Sequence, residues 1–377
     1  MPRMFSASRG ESLSAQLAQR LHAEIAAAGG WLPFDRFMAI ALYEPGLGYY
    51  ARGSRIFGAM PESGSDFITG PEMTPLFGRA LARQVEQALD RAEADQVFEF
   101  GAGSGALAAQ LLEALGNRVA GYSIIELSGA LRQRQAERLK PFGDRVRWLD
   151  AWPADVRGVI VGNEVLDAMP VQLLAWDGHR WHERGVTCKA GGTLAWADRA
   201  TALRPPGDVT ASRFVPGTVT EIHSQAEGFI RSLAARLQRG AAFFIDYGFG
   251  EAEYYHPQRT GGTLMCHRGH RSDTDPLVDV GDKDITAHIN FSGIALAGQD
   301  AGLNVLGYTS QAHFLINCGL LEFLDRPANA DMAARAAVNR LLGEHEMGEL
   351  FKVIGFGRGI RLDDAIGFSH GDRSHTL

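Results

Sequence analysis

The sequence predicts an α/β protein built on a doubly wound, mostly parallel sheet. Short apolar strands alternate with amphipathic helices from residue 96 to residue 245, and this alternation is typical of a parallel sheet with helices on both faces. A glycine-rich turn joins the first of these strands to the following helix, which is where such folds bind ligands. With 45% hydrophobic residues over 377 positions, the chain can form one large domain with elaborations or two domains.

Composition excludes several other classes of protein. Glycine accounts for 45 of the 377 residues without a collagen-like repeat, so we expect glycines at turns, helix ends and points of close backbone approach. The net charge of −7 argues against broad binding of nucleic acid or anionic membranes. No apolar stretch is long enough to span a membrane. The cysteines are too scattered for a disulfide framework, so we expect a reducing, cytosol-like compartment.

Residues 1–93 are predicted to form an N-terminal cap of helices and one long loop. The loop, residues 43–73, is rich in glycine and aromatic side chains and has no period. A loop of this length in a compact chain is usually functional or mobile. Helical spacing of apolar residues and helix-end signals predict helices over 11–28, 33–42 and 74–93.

Residues 94–170 and 223–377 are predicted to form the core, and residues 171–222 a β-rich insertion between its fourth and fifth strands. The predicted core strands are 96–100, 122–126, 146–149, 159–161 and 241–245, and the helices between them are 106–115, 129–139 and 226–237. Further helices are predicted near 291–302 and 327–346, and segments 305–308 and 352–356 are expected to close the sheet as a hairpin-like pair.

The central motif is the glycine turn in VFEFGAGSGAL, residues 97–107. Glycine lacks a Cβ, so the backbone can bend sharply and a ligand can lie against it. A dinucleotide fingerprint has the spacing G-x-G-x-x-G, but here the spacing is G-x-G-x-G and Glu99 precedes it. That carboxylate would repel a pyrophosphate and attract a cationic ligand. A purely structural glycine turn, or an NAD-type protein, is the alternative.

This motif resembles the E-x-G-x-G-x-G motif of class I S-adenosylmethionine-dependent methyltransferases. The cofactor is a zwitterionic amino acid with a sulfonium group, which suits an acidic residue near its ammonium. Glu126 ends the second strand, where a carboxylate can accept both ribose hydroxyls, and Asp150 follows the third strand, where it can accept the adenine amine. The resemblance therefore implies a cofactor site made of Glu99, Gly101, Gly103, Ser104, Gly105, Glu126, Leu127 and Asp150.

The fourth strand leads into an amide and two carboxylates, Asn163, Glu164 and Asp167. In this methyltransferase class the end of the fourth strand usually faces the transferred methyl group, so these three residues are the candidates for catalysis. Carboxylates match the planar donor fork of a guanidinium, and they can also remove a proton from it. Alternatively, Asp167 is a helix cap and Glu164 a solvated loop acid.

The chain further resembles the family of the mitochondrial protein arginine methyltransferase that assists assembly of respiratory complex I, which has bacterial homologues. The resemblance covers residues 35 to 320. Its segments are FMAIALYEPGLGYY (37–50), SDFITGPEMTPLFGRALA (65–82), VFEFGAGSGALA (97–108), YSIIELSGALRQRQ (122–135), GNEVLDAMPVQLL (162–174), FFIDYG (243–248), YYHPQRTGGTLMCH (254–267) and DITAHINFS (284–292).

This family resemblance implies a Rossmann-like class I methyltransferase sheet, S-adenosylmethionine as cofactor, and methylation of an arginine in a protein. For the characterised members that protein is a respiratory-complex subunit. The segment 65–73 is expected to fold over the cofactor. Asp66 is assigned to catalysis and Thr69 and Glu72 to cofactor binding, although they could instead cap the helix that follows.

The sequence also allows two other classes of function, and it contains four histidines that form a weaker candidate site. A non-catalytic assembly factor would bind a respiratory-complex subunit, and a small-molecule N- or O-methyltransferase would have a tight apolar acceptor pocket. The histidines His256, His267, His270 and His288 lack the partner spacing of a metal site, so no metal is predicted. They are expected to line an acceptor cleft or to satisfy loop backbone groups.

Overall fold

The computed structural model describes residues 12–52, 69–206, 214–269, 271–325 and 331–377. In these ranges the helices are α1 (Leu13–Ala27), α2 (Phe34–Tyr43), α3 (Gly70–Met73), α4 (Leu76–Ala92), α5 (Ala106–Leu115), α6 (Gly129–Leu139), α7 (Ser224–Arg236), α8 (Glu251–Tyr254), α9 (Phe291–Asp300), α10 (Gln311–Asn317), α11 (Leu320–Leu324), α12 (Met332–Leu342) and α13 (Met347–Leu350).

The strands in the same ranges form three sheets. They are β1 (Leu32–Pro33), β2 (Gln96–Phe100), β3 (Gly121–Ile125), β4 (Val146–Leu149), β5 (Val156–Asn163), β6 (Gln172–Trp176), β7 (Trp181–Cys188), β8 (Leu194–Ala200), β9 (Val219–Ile222), β10 (Leu237–Phe249), β11 (Met265–Arg268), β12 (Arg271–Asp273), β13 (Asp284–Thr286), β14 (Ile289–Asn290), β15 (Asn304–Ser310) and β16 (Phe351–Arg358).

The central sheet confirms the predicted fold class. Its strand order is β15-β16-β10-β5-β2-β3-β4, and β14 also pairs with β10. Strands β4, β3, β2, β5 and β10 pair in parallel, so their carboxyl ends lie at one edge. Strand β16 runs antiparallel to both of its neighbours, β10 and β15. The predicted pairing of the last two strands is therefore correct.

Helices cover both faces of this sheet, which explains the uniformly apolar strands. In β10, Ala241, Phe243 and Ile245 contribute to one core with α4 and α5, whereas Ala242 and Phe244 contribute to the other with α7 and α9. Successive side chains of a strand point to opposite faces. A strand buried on both sides therefore needs an apolar residue at every position, and the run Ala241 to Ile245 meets this requirement.

The structure differs from the prediction most clearly at β10 and at α10 and α11. Strand β10 continues to Phe249 instead of ending at residue 245, because it pairs with β16 as far as Tyr247 and with β14 at Gly248. Helices α10 and α11 lie in a stretch for which no helix was predicted. Their apolar residues Phe314 and Leu320 are buried in the core beside α4, so tertiary burial stabilises two short helices whose sequence pattern is weak.

The segment 171–222 contains strands β6 to β9, which form an antiparallel sheet with β1. Helices α1 and α2 pack on this sheet through residues such as Leu21 and Phe37. The third sheet, β12-β11-β13, lies in the segment 265–286. The division of the chain into cap, core and insertion remains a prediction. Among the described helices, none has the length and apolarity needed to span a membrane.

Gly240 offers a test of how tightly the central sheet is packed. Its φ is +148°, and a Cβ there would clash with the carbonyl oxygen of Gly158 on β5. We expect Gly240→Ala to lower the free energy of unfolding by at least about 2 kcal/mol, because backbone and not a flexible side chain blocks the methyl group. Urea denaturation measures this change.

Gly228 provides the matched control. It lies inside α7, and a Cβ there would meet no atom within 4 Å. Gly228→Ala should leave the free energy of unfolding unchanged or raise it by up to about 1 kcal/mol. Equal effects of the two substitutions would contradict the packing argument.

Candidate functional site

One large cleft opens at the carboxyl ends of the parallel strands. Its volume is about 1420 Å³, and it contains both the glycine turn and the predicted acceptor residues. Predicted site residues that line it are Thr69, Glu72, Glu99, Gly101, Gly103, Ser104, Glu126, Leu127, Asp150, Asn163, Glu164 and Asp167. Gly105 lies in the turn but not in the cleft lining, and Asp66 lies outside the described residues.

The glycine turn has a backbone that only glycine adopts readily. Gly101, Gly103 and Gly105 have φ values of +62°, +53° and +81°, all in the left-handed region. At Gly101 a Cβ would also lie only 3.0 Å from Cγ2 of Val165. The turn leads directly into α5, whose first backbone N–H groups receive no side-chain cap. Bare backbone and free N–H groups therefore face the cleft at this point.

Glu126 follows β3 and is held in a defined orientation. Its Oε1 accepts a hydrogen bond from the backbone N–H of Ser128 at 2.8 Å, and its Oε2 accepts one from Gln135 at 3.2 Å. The Gln135 amide also donates to the carbonyl oxygen of Gly103 at 3.0 Å. The buried Gln135 side chain therefore connects the backbone of the glycine turn to the Glu126 carboxylate. Burial raises the pKa of Glu126 above its ordinary value.

Asp150 follows β4 and is paired with Arg132 at 2.7 Å, although its own side chain is 90% exposed. The same guanidinium donates to the carbonyl oxygens of Glu126 at 2.6 Å and Leu149 at 2.9 Å. Arg132 therefore joins the ends of two neighbouring strands and pairs with the Asp150 carboxylate. This residue was not predicted from the sequence. Its signal is an arginine six residues after Glu126 on the following helix.

Glu99 lies at the bottom of the cleft, on β2. It is 2% exposed, and its Oε2 accepts a hydrogen bond from the Tyr122 hydroxyl at 2.7 Å. Burial is the main cause that raises its pKa to about 8, and the charge of Glu126 adds to the increase. A cation close to this carboxylate would stabilise its ionised form.

Glu72 and Thr69, the described site residues predicted in the N-terminal cap, lie beside the glycine turn. Glu72, in α3, accepts hydrogen bonds from the Ser104 hydroxyl and from Arg138, the latter at 3.0 Å. This carboxylate therefore connects α3 to the turn. Thr69 precedes α3 and its side chain does not cap the helix, so the helix-cap alternative is not supported for Thr69. Leu127 is 82% exposed and presents an apolar side chain to the cleft.

The predicted acceptor end of the cleft, named here for Asn163, Glu164 and Asp167, begins where β5 ends. Glu164 has a φ of +54°, a left-handed conformation that costs free energy in a non-glycine residue. The Asn163 amide donates to its Oε1 at 2.9 Å. Burial raises the pKa of Glu164 to about 8, and the charge of nearby Asp167 raises it further. Strained backbone and a perturbed carboxyl group in a cleft are features of functional sites.

Asp246 holds this turn in place and was not among the predicted site residues. Its Oδ2 accepts hydrogen bonds from the backbone N–H groups of Val165, Leu166 and Asp167, at 3.1, 2.9 and 3.2 Å. It is 1% exposed and lies within β10. An acidic residue at the end of an apolar run is the signal that marks it. The sequence could not show that its partners lie about eighty positions earlier.

Asp167 has one bonded and one unbonded oxygen. The Tyr247 hydroxyl donates to its Oδ2 at 2.5 Å. Its Oδ1 is buried and has no hydrogen-bond partner within the described residues. Burial raises the pKa of Asp167 to about 6. A buried carboxylate oxygen without a partner is unfavourable, so this atom is suited to receive a donor from a ligand.

The cleft is strongly acidic. Among the described lining residues, eight carboxylates face only two arginines. The carboxylates are Glu72, Glu99, Glu126, Asp150, Glu164, Asp167, Asp284 and Glu346, and the arginines are Arg271 and Arg340. Two of the carboxylates, Glu72 and Asp150, form ion pairs with arginines of α6. Glu346 pairs with the lining arginine Arg340 at 3.2 Å. With pKa values of about 8, Glu99 and Glu164 are largely protonated near pH 7, and a cation bound beside them would favour their ionised form. The cleft therefore favours a cationic ligand.

Of the four histidines considered for a metal site, His267 and His288 line the cleft, His256 does not, and His270 lies outside the described residues. Burial lowers the pKa of both His267 and His288. Within the described ranges, no three side chains of the ligand types His, Cys, Asp and Glu cluster in a way that could hold a metal ion.

The chain is similar to proteins that bind or use S-adenosylmethionine. Residues 76–309 match the profile of a family of S-adenosyl-L-methionine-dependent methyltransferases. A protein of Burkholderia thailandensis, crystallised with S-adenosyl-homocysteine, is 51% identical to this chain. The match covers 97% of each chain with a TM-score of 0.91.

More distant relatives have a named activity. Protein arginine methyltransferase NDUFAF7, mitochondrial, of Danio rerio is 26% identical over 385 residues, which cover 90% of this chain and 86% of the relative. The human protein of the same name is 25% identical over 366 residues, which cover 85% and 79% of the two chains.

The raised pKa of Glu164 predicts how stability depends on pH. Between its ordinary value near 4.5 and about 8, the folded protein retains a proton that the unfolded chain has released. The free energy of unfolding therefore falls as the pH rises through this window. In ligand-free protein, Glu164→Gln should reduce the decrease in melting temperature between about pH 5 and about pH 8.

Glu113→Gln is the control, because Glu113 is an exposed carboxylate on α5. It should leave the pH profile of the wild type unchanged. If the melting temperatures of wild type and Glu164→Gln fall equally between about pH 5 and about pH 8, the raised pKa does not belong to Glu164.

Proposed function

The chain belongs to the S-adenosyl-L-methionine-dependent methyltransferases, and on this premise we propose that it methylates the guanidinium group of an arginine in a protein. The acidic acceptor end of the cleft carries the proposal. There, Glu164 and Asp167 lie beside the glycine turn, and Asp167 retains a buried oxygen without a partner.

The cofactor supplies a methyl group on a sulfonium, which is transferred by direct displacement. The residues at the glycine turn fit this cofactor. The turn exposes backbone without Cβ atoms, and Glu126 and Asp150 are oriented by Gln135 and Arg132. We propose that Glu126 receives the ribose hydroxyls, that Asp150 receives the adenine amine, and that Glu99 lies near the ammonium group. Leu127, Thr69, Ser104 and Glu72 complete this part of the proposed site.

The acceptor residues have two tasks in this proposal. Asn163, Glu164 and Asp167 hold the guanidinium, whose fork of N–H donors matches carboxylate geometry, and they align one nitrogen with the methyl group. A guanidinium has a pKa near 13.8 and is a poor nucleophile until it loses a proton. With pKa values raised to about 8 and about 6, Glu164 and Asp167 are stronger bases than ordinary carboxylates. Asp167 is largely ionised near pH 7 and is the first candidate to accept the proton, whereas Glu164 becomes ionised when the guanidinium binds beside it. Asp66 remains a further catalytic candidate, outside the described residues.

The relatives support a protein as the acceptor. The NDUFAF7 proteins of fish and human are named protein arginine methyltransferases. A cleft of about 1420 Å³ with an excess of carboxylates suits a cationic side chain carried on a polypeptide better than a small apolar molecule. We propose a protein partner, as in the resemblance to the complex I assembly family, and a bacterial cytoplasm or mitochondrial matrix as the compartment. No cysteine of this chain is in a disulfide among the described residues.

Glu126 tests the cofactor site. We expect Glu126→Ala to weaken binding of S-adenosyl-homocysteine at least about tenfold, because two hydrogen bonds to a charged group are lost. Isothermal titration calorimetry measures the dissociation constant. Glu137→Ala is the matched control, because Glu137 is an exposed carboxylate on α6, the helix that follows Glu126. This variant should bind S-adenosyl-homocysteine like the wild type. Identical affinity of wild type and Glu126→Ala would contradict the assigned role.

Transfer of labelled methyl groups tests the acceptor. Wild-type protein and methyl-labelled S-adenosylmethionine are added to a lysate from cells that lack this gene, and labelled proteins are hydrolysed for amino-acid analysis. We expect label in methylarginine, and a decrease of at least about a hundredfold with Asp167→Asn, which cannot accept the proton.

The other outcomes separate the alternatives. Label in lysine or in small molecules would reject arginine as the acceptor. Binding of S-adenosyl-homocysteine without any transfer of label would favour a non-catalytic binding protein.

A further inference from the structure

Three polar atoms at one wall of the acceptor end are buried and accept no hydrogen bond in the described part of the chain. They are Asp167 Oδ1, Thr286 Oγ1 and His288 Nδ1, and all three residues line the cleft. Buried polar atoms in folded proteins almost always have a partner. Three exceptions along one wall therefore indicate a surface that completes its hydrogen bonds with a bound molecule.

Backbone contacts bring these residues together. The N–H of Ala287 donates to the carbonyl oxygen of Asp167 at 3.0 Å, and Ala287 lies between Thr286 and His288. Strand β14 pairs with β10 through Ile289 and Gly248. The residues that precede Ile289 are therefore held beside the strand that carries Tyr247.

Tyr247 lies at the centre of this arrangement. Its ring centroid is 5.0 Å from that of His288, and its hydroxyl donates to Asp167 Oδ2 at 2.5 Å. A tyrosine hydroxyl has one proton. Because that proton is directed at Asp167, it is not available to Thr286. The Thr286 hydroxyl faces Tyr247 as a donor, which partly offsets the burial that raises the tyrosine pKa, and its oxygen keeps its acceptor capacity.

We infer that Thr286 and His288, with Asp167, form the part of the acceptor site that selects a planar guanidinium over an ammonium group. This inference rests on the proposed function and names the residues that make the site specific for arginine. A guanidinium spreads five N–H donors over a rigid plane, whereas an ammonium concentrates three donors at one strongly hydrated point. Acceptors contributed by separate segments, β13 to β14 and the turn after β5, can be reached together by the larger, flatter group.

The protonation state of His288 suits this role. Burial, followed by the positive charges of Arg259, Lys352 and His267, lowers its pKa to about 4. The ring is therefore neutral near pH 7, has one nitrogen free to accept a hydrogen bond, and does not repel a cation. The backbone of the same residue is fixed, because its N–H donates to Thr263 Oγ1 at 3.1 Å.

The test measures binding of two probes to full-length protein saturated with S-adenosyl-homocysteine. The probes are arginine and lysine with blocked amino and carboxyl ends, titrated by calorimetry. Thr286→Val keeps the shape but removes the hydroxyl, and Thr286→Ser is its control. His288→Phe keeps a ring against Tyr247 and Phe249, its neighbours at 5.0 and 5.3 Å, but removes both nitrogens.

We expect the wild type to bind the arginine probe at least about tenfold more tightly than the lysine probe. Thr286→Val and His288→Phe should each weaken the arginine probe about tenfold, while the affinity for S-adenosyl-homocysteine stays constant. Thr286→Ser should bind like wild type. If His288→Phe fails to fold, the pair of substitutions at Thr286 decides the result.

Three results would overturn the inference. If Thr286→Val and His288→Phe bind the arginine probe as tightly as the wild type does, this subsite is rejected and the proposed function is unaffected. Equal binding of the two probes by the wild type rejects the selection of guanidinium. Binding of S-adenosyl-homocysteine with no binding of either probe rejects arginine as the acceptor, and therefore both the subsite and the proposed function.

Discussion

The hydrogen bonds accepted by Asp246 organise the acceptor end of this protein. Its Oδ2 receives three successive backbone N–H groups, those of Val165, Leu166 and Asp167. These contacts bend the chain immediately after β5 and keep Glu164 in its left-handed conformation. The Asp246 carboxylate itself is fixed because it lies on β10, the strand next to β5. A parallel sheet thus supplies both the turn and the residue that stabilises it.

The cost of this arrangement is electrostatic. Glu164, Asp167 and Asp246 are close and poorly solvated, and burial together with mutual repulsion raises the pKa of Glu164 and Asp246. A cation bound beside these carboxyl groups would offset the repulsion, so the arrangement favours binding of a positively charged group. At the opposite end of the cleft, Arg132 and Gln135 neutralise or satisfy the carboxylates of the cofactor side. Arginines of α6 therefore pair with Asp150 and Glu72 on one side of the cleft, whereas Glu164 and Asp167 form no ion pair within the described residues.

The fold and the family were predictable from the sequence for local reasons. Uniformly apolar strands such as 241–245 indicate burial on both faces, and three glycines between a strand and a helix indicate a turn that only glycine tolerates. Acidic residues at strand ends could be assigned to one edge, because parallel strands end together. The resemblance of the glycine motif to that of S-adenosyl-L-methionine-dependent methyltransferases predicted the family, and the family match over residues 76–309 confirms it.

The sequence by itself determined which polar residues stand at the strand ends, because chain order and period suffice for that. Tertiary structure alone decided how each residue is held: Arg132 across two strands, Asp246 under a turn about eighty residues away, and Thr286 and His288 beside Asp167. The Arg132 contacts depend on the pairing of β3 with β4, and the others depend on the register between β10, β5 and β14. The apolar pattern of a strand restricts its register, but the partner strand lies far away in the sequence, so the register is decided only when the sheet and both cores assemble.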